Sequence, residues 1–327
     1  MGQEKSMINH DFNNLITQLE TLFKEGHYRA ALQKVNSRLQ DFPEKAAHLN
    51  YLRMSLAARV GDLSQSKKIL QEALENGTWY SVELLRATNS LSALQDDSEY
   101  ESLLDIAATM RSADPYENLS LTTIHPQDKC KKDDPPCSLI LFLHDNYETA
   151  QIHIPLWRTA ALENWLVAFP QSTSAMWAGA YVWLDELSAA EQIKITIHSL
   201  AERYHIDPNR IILSGIGEGA GMALLLSLTR AINACGVILV APKGELLKSQ
   251  KKLEAVLEKN HNPNLRIMVT TSEGQKENGQ ESIERLLKKL KEHGFPYILE
   301  TYPPSEYPYP PNFEEILPLA LDFIIKE

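Results

Sequence analysis

Ile211-Ile212-Leu213-Ser214-Gly215-Ile216-Gly217-Glu218-Gly219-Ala220-Gly221-Met222-Ala223 is a β-branched run that ends in a glycine-rich turn and leads into a stretch rich in Ala and Leu. It predicts a strand, a tight turn and a helix. The same alternation extends to both sides. Upstream, Ser138 to Leu143 reads as a buried strand, Ile154 to Leu162 as a helix, Trp165 to Phe169 as a strand and Ala189 to Tyr204 as a helix. Downstream, the strands Gly236 to Val240, Leu265 to Thr270 and Tyr297 to Tyr302 are separated by the helices Leu246 to Leu257 and Ser282 to His293, and Phe313 to Ile325 closes the series. Such alternation predicts the α/β class, with a mostly parallel sheet, helices on both faces and a cleft at the carboxyl ends of the strands.

The first third is different. From Asp11 to about Met110 the apolar residues fall at helical spacing, as in Leu15, Leu19, Leu22 and Phe23, then Ala30, Ala31, Val35 and Leu39. Leu22 to Ala31 resembles Leu56 to Gln65, and their turn glycines, Gly26 and Gly61, are 35 residues apart. That offset is close to the ~34-residue period of tetratricopeptide repeats, and Phe42-Pro43 closes the first unit as proline closes such repeats. A third pair, Tyr80 to Leu94 and Tyr100 to Met110, completes a short array. A concave surface for a protein or peptide partner is one expectation from these helices. The other is that they pack on the second domain and shield it.

Between the two patterns lie Asp114-Pro115, His125-Pro126 and Lys131 to Pro136, which are turn and linker signals. Leu119 to Ile124 has the look of a short edge strand. The expected organisation is therefore a helical domain over 1–111, a linker over 112–136 and an α/β domain over 137–327.

At 327 residues two domains are the normal outcome, and 43% hydrophobic with 23% charged residues is ordinary globular composition. A formal charge of −11 works against a phosphate-binding surface, so no nucleic-acid partner is expected. The first residues carry no apolar signal core, and no run approaches the roughly 20 apolar residues of a membrane span, so no membrane association is expected. Cys130, Cys137 and Cys235 leave at least one cysteine unpaired and show no metal-ligand spacing, from which cytoplasmic residence is expected.

The Gly215-Ile216-Gly217-Glu218-Gly219 turn keeps the frame of the nucleophile elbow G-x-S-x-G but has glycine at its centre. Together with Ile206 to Arg210 ahead of it, a strand ending Leu143-His144, the Tyr181 to Asp185 segment, Val240-Ala241-Pro242 and Tyr309-Pro310-Pro311 near the end, it makes Ser138 to Ile325 resemble the α/β-hydrolases of the carboxylesterase, phospholipase and dienelactone-hydrolase-like group. The resemblance implies a serine nucleophile at the position of Gly217. It implies an acid in the turn Ser272-Glu273-Gly274-Gln275, which puts it at Gln275 or the neighbouring Glu273 and Glu277. A histidine belongs just before the Pro-Pro motif, where Tyr307 stands. The oxyanion strand of that group ends in His-Gly, against His144-Asp145-Asn146 here. A carboxylate at Asp145 would oppose an oxyanion if it pointed inward.

With serine, acid, base and oxyanion glycine all altered, the expected function is a catalytically degenerate hydrolase-like protein that binds or scaffolds, with no metal and no cofactor. The alternative is an active esterase-type hydrolase with a non-standard nucleophile or a metal-held water. Ser172 or Ser174 with His144 or His153 would supply the first, and His144, Asp145, Glu218 and Glu273 the second. Surface-loop serines and turn-capping carboxylates are the plainer accounts of the same residues. Ser214 is expected to point into the sheet, and Cys235 to be a buried small residue at the wrong edge for catalysis. The aromatic segment Met176 to Trp183, with Trp177, Tyr181 and Trp183, either lines an apolar cleft for a small ligand or packs its loop down.

Overall fold

The computed structural model describes residues 2–114, 121–126, 129–259, 264–273, 277–304 and 308–326. The chain divides into two compact units, one of residues 1–118 with Ala175–Gly179, the other of Leu119–Ser174 with Ala180–Glu327.

The first unit is helical: α1 (Gly2–Lys24), α2 (Tyr28–Arg38), α3 (Ala46–Arg59), α4 (Leu63–Glu75), α5 (Val82–Ala87) and α6 (Ser98–Ser112). The two similar stretches form the same turn. His27 N–H donates to the Leu22 carbonyl at 2.8 Å and Asp62 N–H to the Ala57 carbonyl at 2.9 Å, each closing a helix end over a glycine of positive φ. The Asp62 carboxylate then accepts from Gln65 N–H at 3.0 Å and starts α4. Phe12, Leu15, Leu19, Ala31, Val35, Phe42, Leu49 and Leu56 form one buried cluster; Leu15, Leu19, Ala31 and Val35 come from the stripe read in the sequence, whereas its Phe23 and Ala30 are exposed.

The second unit is built on seven strands: β1 (Leu121–Ile124), β2 (Cys137–Leu143), β3 (Trp165–Pro170), β6 (Ile206–Ile216), β7 (Gly236–Val240), β8 (Arg266–Ser272) and β9 (Tyr297–Tyr302). Two further strands, β4 (Ser174–Trp177) and β5 (Ala180–Val182), lie outside that sheet. The sheet order is β1-β3-β2-β6-β7-β8-β9, parallel throughout except for β1, which runs antiparallel to β3 from Leu121 opposite Pro170 to Ile124 opposite Val167. The helices are α7 (Arg158–Leu162), α8 (Glu186–Arg203), α9 (Gly217–Leu228), α10 (Glu245–Lys248), α11 (Gln250–Lys259), α12 (Glu277–Glu292) and α13 (Phe313–Ile325). The helix expected from Ile154 is instead a 3-10 segment, Ala150–Trp157, that passes into α7, because Pro155 inside it removes a backbone donor.

Alternate residues of the central strands enter opposite cores. Leu139, Leu141 and Leu143 face one with Leu213, Val237 and Leu239, while Ile140 and Phe142 face the other with Trp157, Ile212, Ile238 and Phe313. With both faces covered, β2 reads as a continuous apolar run without alternation. Ser214, as expected, is fully buried and donates to the Ile238 carbonyl at 2.8 Å.

Cys130 and Cys137 are joined by a disulfide, and Cys235 is free and partly buried rather than fully so. The odd count does leave one thiol unpaired, and it is Cys235. Among the described residues no helix is long and apolar enough to cross a membrane.

Candidate functional site

Successive strands leave β2 in opposite directions: β3 lies on one side of it and β6 on the other. In an open α/β sheet such a switch point opens a crevice beyond the carboxyl ends of the two strands. Two segments line it, residues 144–146 after β2 and residues 217–218 after β6.

Gly217 has φ +56, the left-handed conformation of a strained strand-to-helix turn, and its neighbours are packed against backbone. A Cβ on Gly219 would stand 2.2 Å from the His144 carbonyl oxygen and 2.4 Å from that of Leu143. The elbow geometry is thus fully formed. Its central position is filled from elsewhere: a Cβ on Gly217 would lie 2.1 Å from both Cγ and Oδ2 of Asp145 and 2.3 Å from Oδ1.

Asp145 Oδ1 accepts the N–H of Asn146 at 2.8 Å and the N–H of Glu218, the first-turn residue of α9, at 2.8 Å. Its Oδ2 lies 3.6 Å from Lys243 Nζ, and Lys243 N–H donates to the Gly217 carbonyl at 2.9 Å. Burial raises the Asp145 pKa, and Lys243 and the two N–H donors oppose that rise. In hydrolases with an elbow, the N–H after the nucleophile and one from the loop beyond the neighbouring strand hold the oxyanion. Here the corresponding pair holds the chain's own carboxylate.

His144 is buried and both its ring nitrogens are engaged. Nδ1 donates to the Asp145 carbonyl at 2.7 Å, while Nε2 accepts from Gln171 Nε2 at 2.9 Å and from Ser172 N–H at 3.2 Å. Two donors on Nε2 assign the proton to Nδ1. Burial lowers the pKa to about 4, so the ring is neutral near pH 7 and has no free lone pair for a base. Trp183 packs on it, ring centroids 5.2 Å apart, and donates its indole N–H to the His144 carbonyl at 3.1 Å. Asn146 Oδ1 accepts from Trp183 N–H at 3.3 Å, and Tyr181 stands edge-on to His144 at 6.5 Å.

The remaining expected residues scatter. Glu218 turns toward Lys248, 3.7 Å away, and burial raises its pKa. Glu273 is exposed, and Gln275 and Tyr307 lie outside the described residues. Ser172 Oγ donates to the Val182 carbonyl at 2.6 Å and not to a histidine. Trp177, expected in the cleft, belongs to the helical unit, where its ring is 5.2 Å from His48 and 6.1 Å from Tyr80. Among the described residues no three His, Cys, Asp or Glu side chains converge as a metal site.

A second polar cluster was not assembled by the sequence. Trp157 Nε1 donates to Tyr309 Oη at 3.2 Å, Tyr309 O–H reaches His153 Nδ1 at 3.3 Å, and His153 Nε2 lies 3.2 Å from Glu148 Oε2. Burial raises the Tyr309 pKa well above the usual phenol range. The nearest sequence signal was Tyr309 beside the Pro-Pro motif; its partner His153 is 156 residues away.

A cavity of about 230 Å³ adjoins the elbow, with Trp183, Met222, Leu225 and Leu246 beside Glu218 and Gly244 in its wall. A larger one, about 420 Å³, lies at the amino ends of the strands around Trp165 and Arg210, the edge away from the switch point.

Residues 11–114 match the family model described as the N-terminal domain of A/B hydrolase-like proteins. No curated protein sequence matches this one. Among solved structures, an uncharacterised protein from Bacillus cereus ATCC 10987 is 20% identical with a TM-score of 0.51, over 96% of this chain and 98% of that one. S-formylglutathione hydrolase from Agrobacterium tumefaciens is 13% identical with a TM-score of 0.49, over 62% and 89%. The FrmB S-formylglutathione hydrolase of Staphylococcus aureus is 14% identical with a TM-score of 0.46, over 62% and 89%. Residues 11–114 are thus similar to an N-terminal domain of A/B hydrolase-like proteins, and they precede a mostly parallel α/β sheet with helices on both faces.

Proposed function

We propose that the α/β domain does not perform acyl transfer and that the protein acts by binding or scaffolding. The observation that carries this is the Asp145 carboxylate, which fills the space of a nucleophile's side chain and takes the N–H groups of Asn146 and Glu218. An ester oxygen would have to displace an anion to reach those donors, and no hydroxyl at 217 would be there to attack it. The 230 Å³ cavity beside the elbow is the place for a small apolar ligand, and the helices over 11–114 are the surface for a protein or peptide partner.

The test is a serine-reactive fluorophosphonate and a panel of short-chain esters on the purified full-length protein. The expected outcome is no adduct by intact mass and no turnover above the blank. A single-site adduct with turnover that survives repurification would sink the proposal.

One observation favours a working hydrolase instead. Glu148, His153 and Tyr309 have the carboxylate–imidazole–hydroxyl order of a nucleophilic relay. The Tyr309 hydroxyl is buried and held by Trp157, which argues for structural work. If turnover appears, Tyr309→Phe abolishes it on this reading and leaves it intact on any other.

A further inference from the structure

At the end of the strands opposite the elbow, a cavity of about 400 Å³ shares Arg210 and Ile325 with the larger cavity around Trp165. Among the described residues every charged side chain in its wall is a cation: Arg210 from β6, Arg266 from the first position of β8 and Lys326 just after α13. The chain as a whole carries −11, so this clustering runs against its overall balance. The sheet fixes it. Cys235 N–H donates to the Ile211 carbonyl at 2.8 Å and Arg266 N–H to the Cys235 carbonyl at 3.3 Å, which brings Arg210, Cys235 and Arg266 to one edge. Both guanidinium groups are held without a carboxylate. Arg266 Nη1 donates to the Phe323 carbonyl at 3.1 Å and its guanidinium lies over the Phe323 ring at 5.6 Å, while that of Arg210 lies over the Trp165 ring at 5.9 Å. The Asp207 carboxylate accepts Asn209 N–H at 2.9 Å, and none of the three cations makes an ion pair with a described carboxylate.

We propose that this cavity binds a small phosphate monoester, with Arg210, Arg266 and Lys326 on the phosphate and Pro296 and Ile324 against its organic group. Like charges gathered without a counter-charge repel one another, and an anion that joins them relieves that repulsion. Guanidinium forks match phosphate oxygens through paired N–H groups. A monocarboxylate would bring one negative charge to three cations, whereas a phosphate monoester brings close to two. Pro296, Ile324 and Ile325 give the cavity its apolar side, so an organic phosphate is preferred to the bare ion. Cys235 stands in the same wall and is the free cysteine, which makes it a reporter of occupancy. Burial raises its thiol pKa and the Arg210 charge opposes the rise, so the field of that guanidinium reaches the sulfur.

The experiment times the reaction of Cys235 in the full-length protein with a neutral dipyridyl disulfide, at ionic strength held constant with sodium chloride. The Cys235 sulfur attacks the reagent, its S–S bond breaks as the mixed disulfide forms, and the other half leaves with the thiol proton as the coloured thiopyridone. Phenyl phosphate is expected to slow this saturably, by about tenfold at ten times its dissociation constant, because an occupied cavity closes the path to the thiol. Inorganic phosphate is expected to act in the same way at higher concentration, and succinate, a dianion without phosphate geometry, to leave the rate unchanged. Arg210→Gln and Lys326→Gln, both at exposed positions, are expected to need about tenfold more phenyl phosphate for the same protection. Slowing that does not saturate, equal slowing by succinate, or full protection in both variants overturns the proposal. If the thiol does not react with the reagent, the thermal midpoint decides: phenyl phosphate is expected to raise it by about 2–4 °C near saturation and succinate to leave it in place. No rise with phenyl phosphate, or an equal rise with succinate, overturns the site.

Discussion

Asp145 and Asp185 make the same hydrogen bonds with opposite consequences. Each gives one oxygen to two backbone N–H groups: Asp185 Oδ1 accepts from Leu187 at 2.9 Å and Ser188 at 3.0 Å, both in the first turn of α8, while Asp145 Oδ1 accepts from Asn146 in the loop after β2 and from Glu218 in the first turn of α9. Asp185 is exposed, and its bonds to Ser188 and Leu187 hold its pKa below the usual carboxylate value. At Asp145 burial outweighs the same kind of bonds, and the pKa rises. Hydrogen bonding to an anion therefore does not by itself say whether a site welcomes the charge; access to water decides. Asp185 is a helix cap. Asp145 is a half-buried carboxyl tied to two separate segments of the chain.

The largest effect comes from adding a side chain to the space Asp145 occupies. Gly217→Ser introduces a Cβ about two ångströms from the carboxylate at a position of positive φ, so both the contact and the backbone oppose it. A loss of about 2–4 kcal/mol is expected in urea unfolding, and no esterase activity appears. Asp145→Gly in the same chain removes the contact and leaves the φ penalty, so the pair should couple by about 1–3 kcal/mol in a double-mutant cycle. If the two changes are additive, the carboxylate does not occupy that space.

Truncating the two carboxylates compares them directly. Asp145→Ala leaves the half-buried N–H groups of Asn146 and Glu218 without their acceptor, and about 1–3 kcal/mol of stability is expected to go. Asp185→Ala exposes its two N–H groups to solvent, which replaces the acceptor, and the loss is expected to be the smaller. Asp145→Asn keeps an acceptor and removes the desolvated charge, so its urea midpoint should lie above that of Asp145→Ala. An Asp145→Ala midpoint at or above that of the unaltered chain would mean that the burial cost exceeds the worth of both hydrogen bonds.

The same contrast marks what could be read in the sequence. Asp185-Glu186-Leu187-Ser188 is a local cap, and the strand-turn-helix frame and the glycine turns at 26 and 61 are likewise local patterns with local causes. Gly217 at the centre of the elbow was legible for the same reason. What filled its space was not, because it depends on a loop from another strand folding over a helix start. Glu148, His153 and Tyr309 meet through the return of the final segment to the segment after β2, and no spacing encodes that. Trp177 was placed in the cleft by its neighbours in sequence, whereas its aromatic partners His48, Tyr51 and Tyr80 lie in the helical unit more than ninety residues earlier. The Cys130–Cys137 bond was hidden by an odd cysteine count, which shows that one thiol is free and not which.

The smallest effect lies in the pH dependence, and it separates the two carboxylates by sign. A carboxyl whose folded pKa is raised, as at Asp145, contributes stability below its unfolded pKa near 4 that is lost as pH rises through the folded value. One whose folded pKa is depressed, as at Asp185, contributes stability above the unfolded pKa that is lost as pH falls through the folded value. Between pH 3 and 6 the stability of the unaltered chain minus that of Asp145→Asn should therefore fall as pH rises, and minus that of Asp185→Asn it should rise. His144, with its pKa lowered to about 4, destabilises all three chains as pH drops below 6.5, and Glu218 titrates in all three, so both largely cancel in the differences. Urea unfolding at five pH values reads the two slopes. Slopes of the same sign would mean that water reaches Asp145 as freely as Asp185, and Asp145 would then be an open cap of the same kind.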